Sequence, residues 1–234
     1  MLTVEQVTFL SSMLATFMAN AMAVILVGYI RARIAAYFGD DTAEQLGFAS
    51  LNPLVHIDVI FLISFMIFGI GIGQYPMIDR DYMYRPYATL KYYLASFANT
   101  IAYLLMAIFS LVALLVIFGP SILALFSTVA SADVSVMNHY HNISSFSLSL
   151  ALVGAAMVYI ASRLVIFSLV INLFHMVALP FITSFVGESR YKDLLIFGSS
   201  IVFLLLSFDV LRWLTAWIIL GTGYTIALLL GMGL

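Results

Sequence analysis

Long apolar runs alternate with short polar stretches along this chain of 234 residues. A helix that crosses a membrane needs about 20 consecutive, mostly apolar residues, and this criterion predicts six candidate spans. They cover residues 7–30, 55–73, 90–118, 146–174, 194–208 and 213–234. No internal repeat and no linker divides the runs, so we predict a single transmembrane domain over residues 1–234.

The second apolar run differs from the other five. It begins with the polar or helix-breaking residues Asn52, Pro53, His56 and Asp58, and it ends in the glycine-rich sequence FGIGIGQYP. Such a segment can enter a membrane without crossing it, provided that other protein elements or water satisfy its backbone. We therefore predict that residues 52–76 form a re-entrant element walled by helices.

The distribution of positive charge supports this interpretation. Lys and Arg accumulate in cytoplasmic loops, and a re-entrant second run places every loop Lys and Arg except Arg212 on one face, with the N-terminus outside. Six crossings would split the same charges more evenly. We expect Arg31 and Arg85 to share the cytoplasmic side and residues 119–145 to form an outer loop. The predicted fold is all-α and polytopic, with five or six transmembrane helices plus the re-entrant element.

Composition excludes a water-soluble protein. Hydrophobic residues make up 64% of the chain and charged residues 9%, the mean hydropathy is +1.14, and soluble domains carry about 25% charged residues. A net charge of −2 without a basic patch argues against a nucleic-acid partner. The absence of cysteine excludes disulfides and thiolate metal sites. An integral membrane protein is predicted, in a bacterial inner membrane or, alternatively, an organelle inner membrane.

One stretch carries a family resemblance. FGDDTAEQLGFASLNPLVHID, residues 38–58, resembles the block that follows the zinc-binding helix in the compact site-2 protease family of intramembrane metalloproteases. Two weaker matches follow in the same order, FGIGIGQYPM and LASFANTIAYLL, and the second places Asn99 on an Asn of the family. The resemblance covers roughly residues 20–185 and implies the family's helical fold, with short strands in the re-entrant element.

The resemblance also locates the family's zinc chemistry, which this sequence lacks. The HExxH helix would place its two His on Val27 and Arg31 and its Glu on Gly28, while the third ligand, an Asp, falls on Thr183, three residues after a matching Pro180. A catalytic zinc needs three protein ligands and a carboxylate base. None of these four positions supplies a zinc ligand or a carboxylate base. The resemblance therefore implies an inactive homologue with no catalytic residues, no metal and no cofactor.

The remaining ionisable residues allow several interpretations. Arg163 lies mid-span, where a charge costs about 2.5 kcal/mol or more, and its candidate partners are Asp58, Asp209 or another subunit. The family pattern favours a structural role for His56 and Asp58, pinning the re-entrant element. His139 and His141 are interpreted as loop polarity.

We therefore predict a non-catalytic membrane subunit with a structural, assembly or client-binding role in a larger membrane complex. Other membrane subunits and lipids are the expected partners, and a partner's helix would lie in a groove. The groove-lining residues would be Gly28, Ala32, Ala95, Ser96 and Asn99.

Two alternatives remain open. The first is a conductor of a small ion, proton or solute that uses His56, Asp58 and Arg163. The second is a residual intramembrane metalloprotease with displaced ligands, built from His56, Asp58 and His175.

Overall fold

The computed structural model describes residues 4–74, 78–123, 145–173, 215 and 217–229, and regular structure in them is entirely helical. The elements are α1 (Val4–Phe38), α2 (Thr42–Gln45), α3 (Pro53–His56), α4 (Val59–Phe68), α5 (Ala88–Phe118), α6 (Ser145–Leu173) and α7 (Trp217–Leu229), with 3-10 turns at Arg80–Tyr82 and Pro120–Ile122. The all-α prediction is confirmed for this part of the chain. The short strands implied by the family resemblance do not occur in it.

Three of the described helices are long and apolar enough to cross a membrane. They are Leu10–Phe38 within α1, Ala88–Phe118 and Leu150–Leu173 within α6, which agrees with an integral membrane protein. Val59–Phe68 and Trp217–Leu229 are shorter, and the predicted run at residues 194–208 lies outside the described residues. The count of five or six spans stays a prediction.

The first helix extends beyond its predicted apolar run, and the helix in the second run, Val59–Phe68, is shorter than the run. α5 and α6 begin and end within two residues of the predicted runs, but α1 continues past residue 30 to Phe38. Arg is a good helix former, so Arg31 and Arg33 do not interrupt α1. The helix ends instead at Gly39, whose φ of +115° is a conformation that favours glycine.

The core lies between the three long helices. α5 packs along both α1 and α6, and α6 also packs on α1. Their contact faces form one buried apolar cluster, to which α4 contributes Phe61 and α7 contributes Ile219 and Ala227. The polar residues buried alongside it are few, and they mark the places where the chain is held by hydrogen bonds rather than by apolar packing.

The connection between α1 and α5 begins at the C-terminal end of α1 and ends at the N-terminal end of α5, and hydrogen bonds hold these two ends together. The amide of Tyr84 donates to the carbonyl of Phe38 at 2.9 Å. The buried carboxylate of Asp40 accepts from the amides of Thr42 at 3.1 Å and Asp79 at 2.8 Å. Residues just after α1 and just before α5 are therefore tied together, and Asp40 of the GDDTA sequence is one of the ties.

Between these ties, the chain makes an excursion along α1. α4 rises beside α1 and ends at Gly69, which has a φ of +66° and donates to the carbonyl of Phe65; residues 69–74 then descend. The contacts that trace this path are His56 with Gly28, Phe61 and Phe65 with Phe17, Gly71 with Asn20, and Gly73 with Val24. The excursion from the level of Gly28 to that of Phe17 spans about 16 Å at the rise of an α-helix.

Candidate functional site

His56 occupies the centre of the candidate site. Asn52 caps α3 by accepting from the amide of Leu54 at 3.1 Å, and Pro53 fills the first helical position, where its missing amide hydrogen costs nothing. This short helix delivers the His56 ring to a fully buried position against α1. The local sequence NPLVH thus builds a rigid support for one imidazole.

The imidazole of His56 is held on one side only. Nε2 lies 2.9 Å from the carbonyl oxygen of Ser50, and because a carbonyl only accepts, Nε2 is the donor. Phe48 contacts the ring edge-on, with centroids 5.5 Å apart. Nδ1 is buried with no hydrogen-bond partner among the described residues. It faces Gly28, so the polar atom of the site is directed at the bare backbone of α1.

Gly28 is the residue that makes room for this ring. A Cβ built on Gly28 would lie 2.5 Å from Nδ1 of His56 and 2.8 Å from Cε1, closer than real Cβ contacts permit. Val27 beside it is fully buried in the apolar cluster, and Arg31 is half-buried one turn further along α1. The position that the family resemblance assigns to the catalytic Glu therefore has no space for any side chain.

Residues 69–74, the descending segment of the excursion, cover the candidate site. The side-chain amide of Asn20 faces the backbone of Gly71. With the amide oriented so that both of its groups are satisfied, Nδ2 donates to the Gly71 carbonyl at 3.0 Å and Oδ1 accepts from the Gly71 amide at 2.7 Å. The hydroxyl of Ser64 accepts from the amide of Ile72 at 2.8 Å, and the amide of Gln74 donates to the carbonyl of His56 at 2.9 Å. These bonds satisfy backbone groups that would otherwise be buried unpaired.

Asp58 has a structural use. Its carboxylate accepts from the amide of Phe61 at 2.8 Å and so caps α4, a role that carboxylates fill well at helix N-termini. No ion pair joins Asp58 to Arg163, the pairing considered from the sequence. Arg163 lies buried on α6 with its guanidinium carbon 5.4 Å from the ring centroid of Tyr159, a distance at which a cation is attracted to the ring face.

Asn99 belongs to a polar network between α5 and α6. The amide nitrogen of Asn172 donates to the Ser96 carbonyl at 3.1 Å, to the Thr100 hydroxyl at 3.1 Å and to Oδ1 of Asn99 at 3.4 Å. The hydroxyls of Thr100 and Ser168 are 2.7 Å apart. Polar contacts of this kind hold helices together in a bilayer, and the network joins the two helices at one level.

The groove expected from the sequence is not open. Gly28 is covered by His56. Ala32 packs against α2 and its following turn, Ala95 is fully buried, and Asn99 is bonded to Asn172 within the chain. Small residues let helices approach closely, and the chain's own elements make that approach at Gly28 and Ala32.

Several predicted positions fall outside the described residues. They are Pro180, Thr183, His175, Asp209, His139 and His141. Within the described residues, no group of three His, Asp or Glu side chains is placed to hold a metal ion.

Two residues of the site were missed from sequence. Asn20 and Asn172 are each the polar exception in an apolar stretch of a membrane helix, and polar residues in such helices usually face the protein interior. That signal was sufficient to mark them as buried hydrogen-bonding residues, although it does not identify Gly71 or Thr100 as their partners.

Comparison with known proteins gives one partial match. No family model and no solved structure matches the chain. Over 99 residues it is 34% identical to the "Putative zinc metalloprotease YwhC" of Bacillus subtilis (strain 168). The match covers 42% of this chain and 44% of that protein, so the chain spans less than half of this relative's length. The similarity is consistent with the site-2-protease-like resemblance of the sequence.

Proposed function

We propose that this chain is a non-catalytic, site-2-protease-like membrane protein with a structural, assembly or client-binding role in a membrane complex. The observation that carries the proposal is the ring of His56 lying against Gly28. At Gly28, the position that corresponds to the catalytic Glu of the resembling family, the ring of His56 fills the adjacent space. A water molecule and the base that activates it would have no room beside α1.

The donor chemistry does not fit zinc either. Structural and catalytic zinc is bound by Cys, His, Asp or Glu, whereas Val27 and Gly28 have no donor atom and Arg31 carries a positive charge. His56 can offer one nitrogen lone pair, on Nδ1, because its Nε2 donates to Ser50, and a single ligand does not make a zinc site. We therefore propose no hydrolytic step for this chain.

We expect the purified protein to contain far less than one zinc per chain. The reason is the missing ligand set at Val27, Gly28 and Arg31, and elemental analysis of detergent-purified protein measures it. A family member with an intact HExxH helix, purified in parallel, is the control. One zinc per chain, retained after dialysis against a weak chelator, would contradict the proposal and favour the residual-protease alternative.

The re-entrant topology is part of the proposal. It is supported by the ties between the two ends of the α1–α5 connection, the amide of Tyr84 on Phe38 and that of Asp79 on Asp40. With no native cysteine, single-cysteine labelling reports each position cleanly.

We expect cysteines at Tyr37 and Arg85 to be labelled from the same side of the membrane, because these positions flank the hydrogen-bonded ties at one end of α1. A cysteine at Gln6, near the other end of α1, should be labelled from the opposite side. Labelling of residues 37 and 85 from opposite sides would show that the segment crosses the membrane.

No described contact favours the conductor alternative. Asp58 is occupied as a helix cap, and His56 is enclosed by α1, Phe48 and Ser50. A flux assay in proteoliposomes tests that alternative directly, and the present proposal expects no flux above that of empty vesicles.

A further inference from the structure

A groove between α1 and α5 is unrelated to the closed site. It has a volume of about 750 Å³, within the range of small-molecule pockets in proteins. Its described walls are one face of each helix. The α1 side runs from Leu26 to Phe38 and the α5 side from Leu94 to Ser110; most of these side chains are apolar, and about half of them are exposed.

The groove is shorter than a bilayer is thick. Its wall on α1, from Leu26 to Phe38, spans about 18 Å of helix, and its wall on α5, from Leu94 to Ser110, spans about 24 Å. The hydrocarbon core of a bilayer is about 30 Å thick, or about 15 Å per leaflet. A partner's transmembrane helix would cross both leaflets and extend beyond this groove, whereas an acyl chain of a lipid in one leaflet fits within it.

An ion pair beside the groove offers contacts to a head group. Arg33 is the one charged residue among the described lining residues, and Ile34, Tyr37 and Phe38 line the groove beyond it. Nη1 of Arg33 lies 2.7 Å from Oε1 of Glu44, which is outside the lining. Both side chains are about half exposed, so each keeps hydrogen-bonding capacity toward solvent. A guanidinium suits phosphate, and a carboxylate accepts from an ammonium group.

We propose that the groove binds one phosphatidylethanolamine-type phospholipid, with an acyl chain between α1 and α5, its phosphate on Arg33 and its ammonium on Glu44. A purely anionic head group would gain Arg33 but face the negative charge of Glu44. The paired charges therefore favour a zwitterionic lipid that has N–H donors. This inference does not depend on the loss of protease activity.

Native mass spectrometry tests the proposal on the full chain. The protein is released from bilayers that contain equal amounts of phosphatidylethanolamine, phosphatidylglycerol and phosphatidylcholine. We expect one phosphatidylethanolamine to be retained preferentially. Arg33→Gln and Glu44→Gln should each weaken its retention about tenfold, the loss expected for one hydrogen bond to a charged group. Arg80→Gln is the matched control, because Arg80 is an exposed arginine paired with Asp81 outside the groove.

A second pair of variants tests the acyl-chain site. Leu105→Trp adds volume at a groove-lining position of α5 that is 49% exposed, whereas Leu104→Trp adds the same volume at a neighbouring position that is 47% exposed and outside the groove. Retention should fall only for Leu105→Trp. Preferential retention of phosphatidylglycerol, equal retention of all three lipids, or equal behaviour of Arg33→Gln and Arg80→Gln would overturn the proposal. So would photo-crosslinks from Ile101 to a polypeptide instead of lipid.

Discussion

Replacing Gly28 with Ala is expected to destabilise the protein by about 1–3 kcal/mol, the usual cost of overpacking a core. The added Cβ would lie 2.5 Å from Nδ1 of His56. The ring cannot move aside freely, because it is fully buried and its Nε2 is bonded to Ser50. Equilibrium unfolding in mixed detergent micelles, followed by circular dichroism, measures the change.

Two comparisons separate the clash from a general effect of Gly→Ala substitution in a helix. Gly221→Ala in α7 meets nothing within 4 Å and should be neutral or stabilising by up to about 1 kcal/mol. In a His56→Ala background, Gly28→Ala should cost much less than in the native protein, since the ring is gone. An equal cost in both backgrounds would mean that His56 is not what limits residue 28.

Asn20→Leu is expected to destabilise the protein by about 2 kcal/mol or more, because it removes the hydrogen-bond partners of the buried amide and carbonyl of Gly71. The amide and carbonyl of Gly71 would lose their hydrogen bonds to Asn20, and each buried group left unpaired costs about 1–3 kcal/mol. Faster hydrogen exchange at residues 70–74 should accompany the loss.

Asn52→Leu is the matched substitution for this experiment. Asn52 is exposed and caps a single short helix, so its loss should cost about 1 kcal/mol and leave exchange at residues 70–74 unchanged. If the two Leu variants were equally stable, the hydrogen bonds between Asn20 and Gly71 would not be what holds residues 69–74 in place.

The long helices were predictable from sequence because membrane burial acts on length and hydropathy alone. α5 and α6 follow their apolar runs closely. The end of α1 was not predictable in the same way, since charged Arg31 and Arg33 leave the apolar run without leaving the helix. The stop depends on the backbone conformation of Gly39, which hydropathy does not encode.

The path of the second apolar run required tertiary structure. Its polar start and its glycine-rich end indicated a departure from a simple span, but its position beside α1 depends on contacts between residues distant in the chain. Asn20 binds Gly71, and Gly73 leaves just enough space for Val24. Local patterning cannot pair such residues, because nothing in either segment specifies the other.

For the site, the sequence by itself determined that Val27, Gly28 and Arg31 cannot supply a zinc ligand or a base, since that follows from the chemistry of their side chains. Only the tertiary structure decided what occupies the space, because a glycine is compatible equally with an open groove and with a close approach. The ring of His56 makes that approach. The open apolar surface lies instead between α1 and α5, and helix packing rather than residue type determines that location.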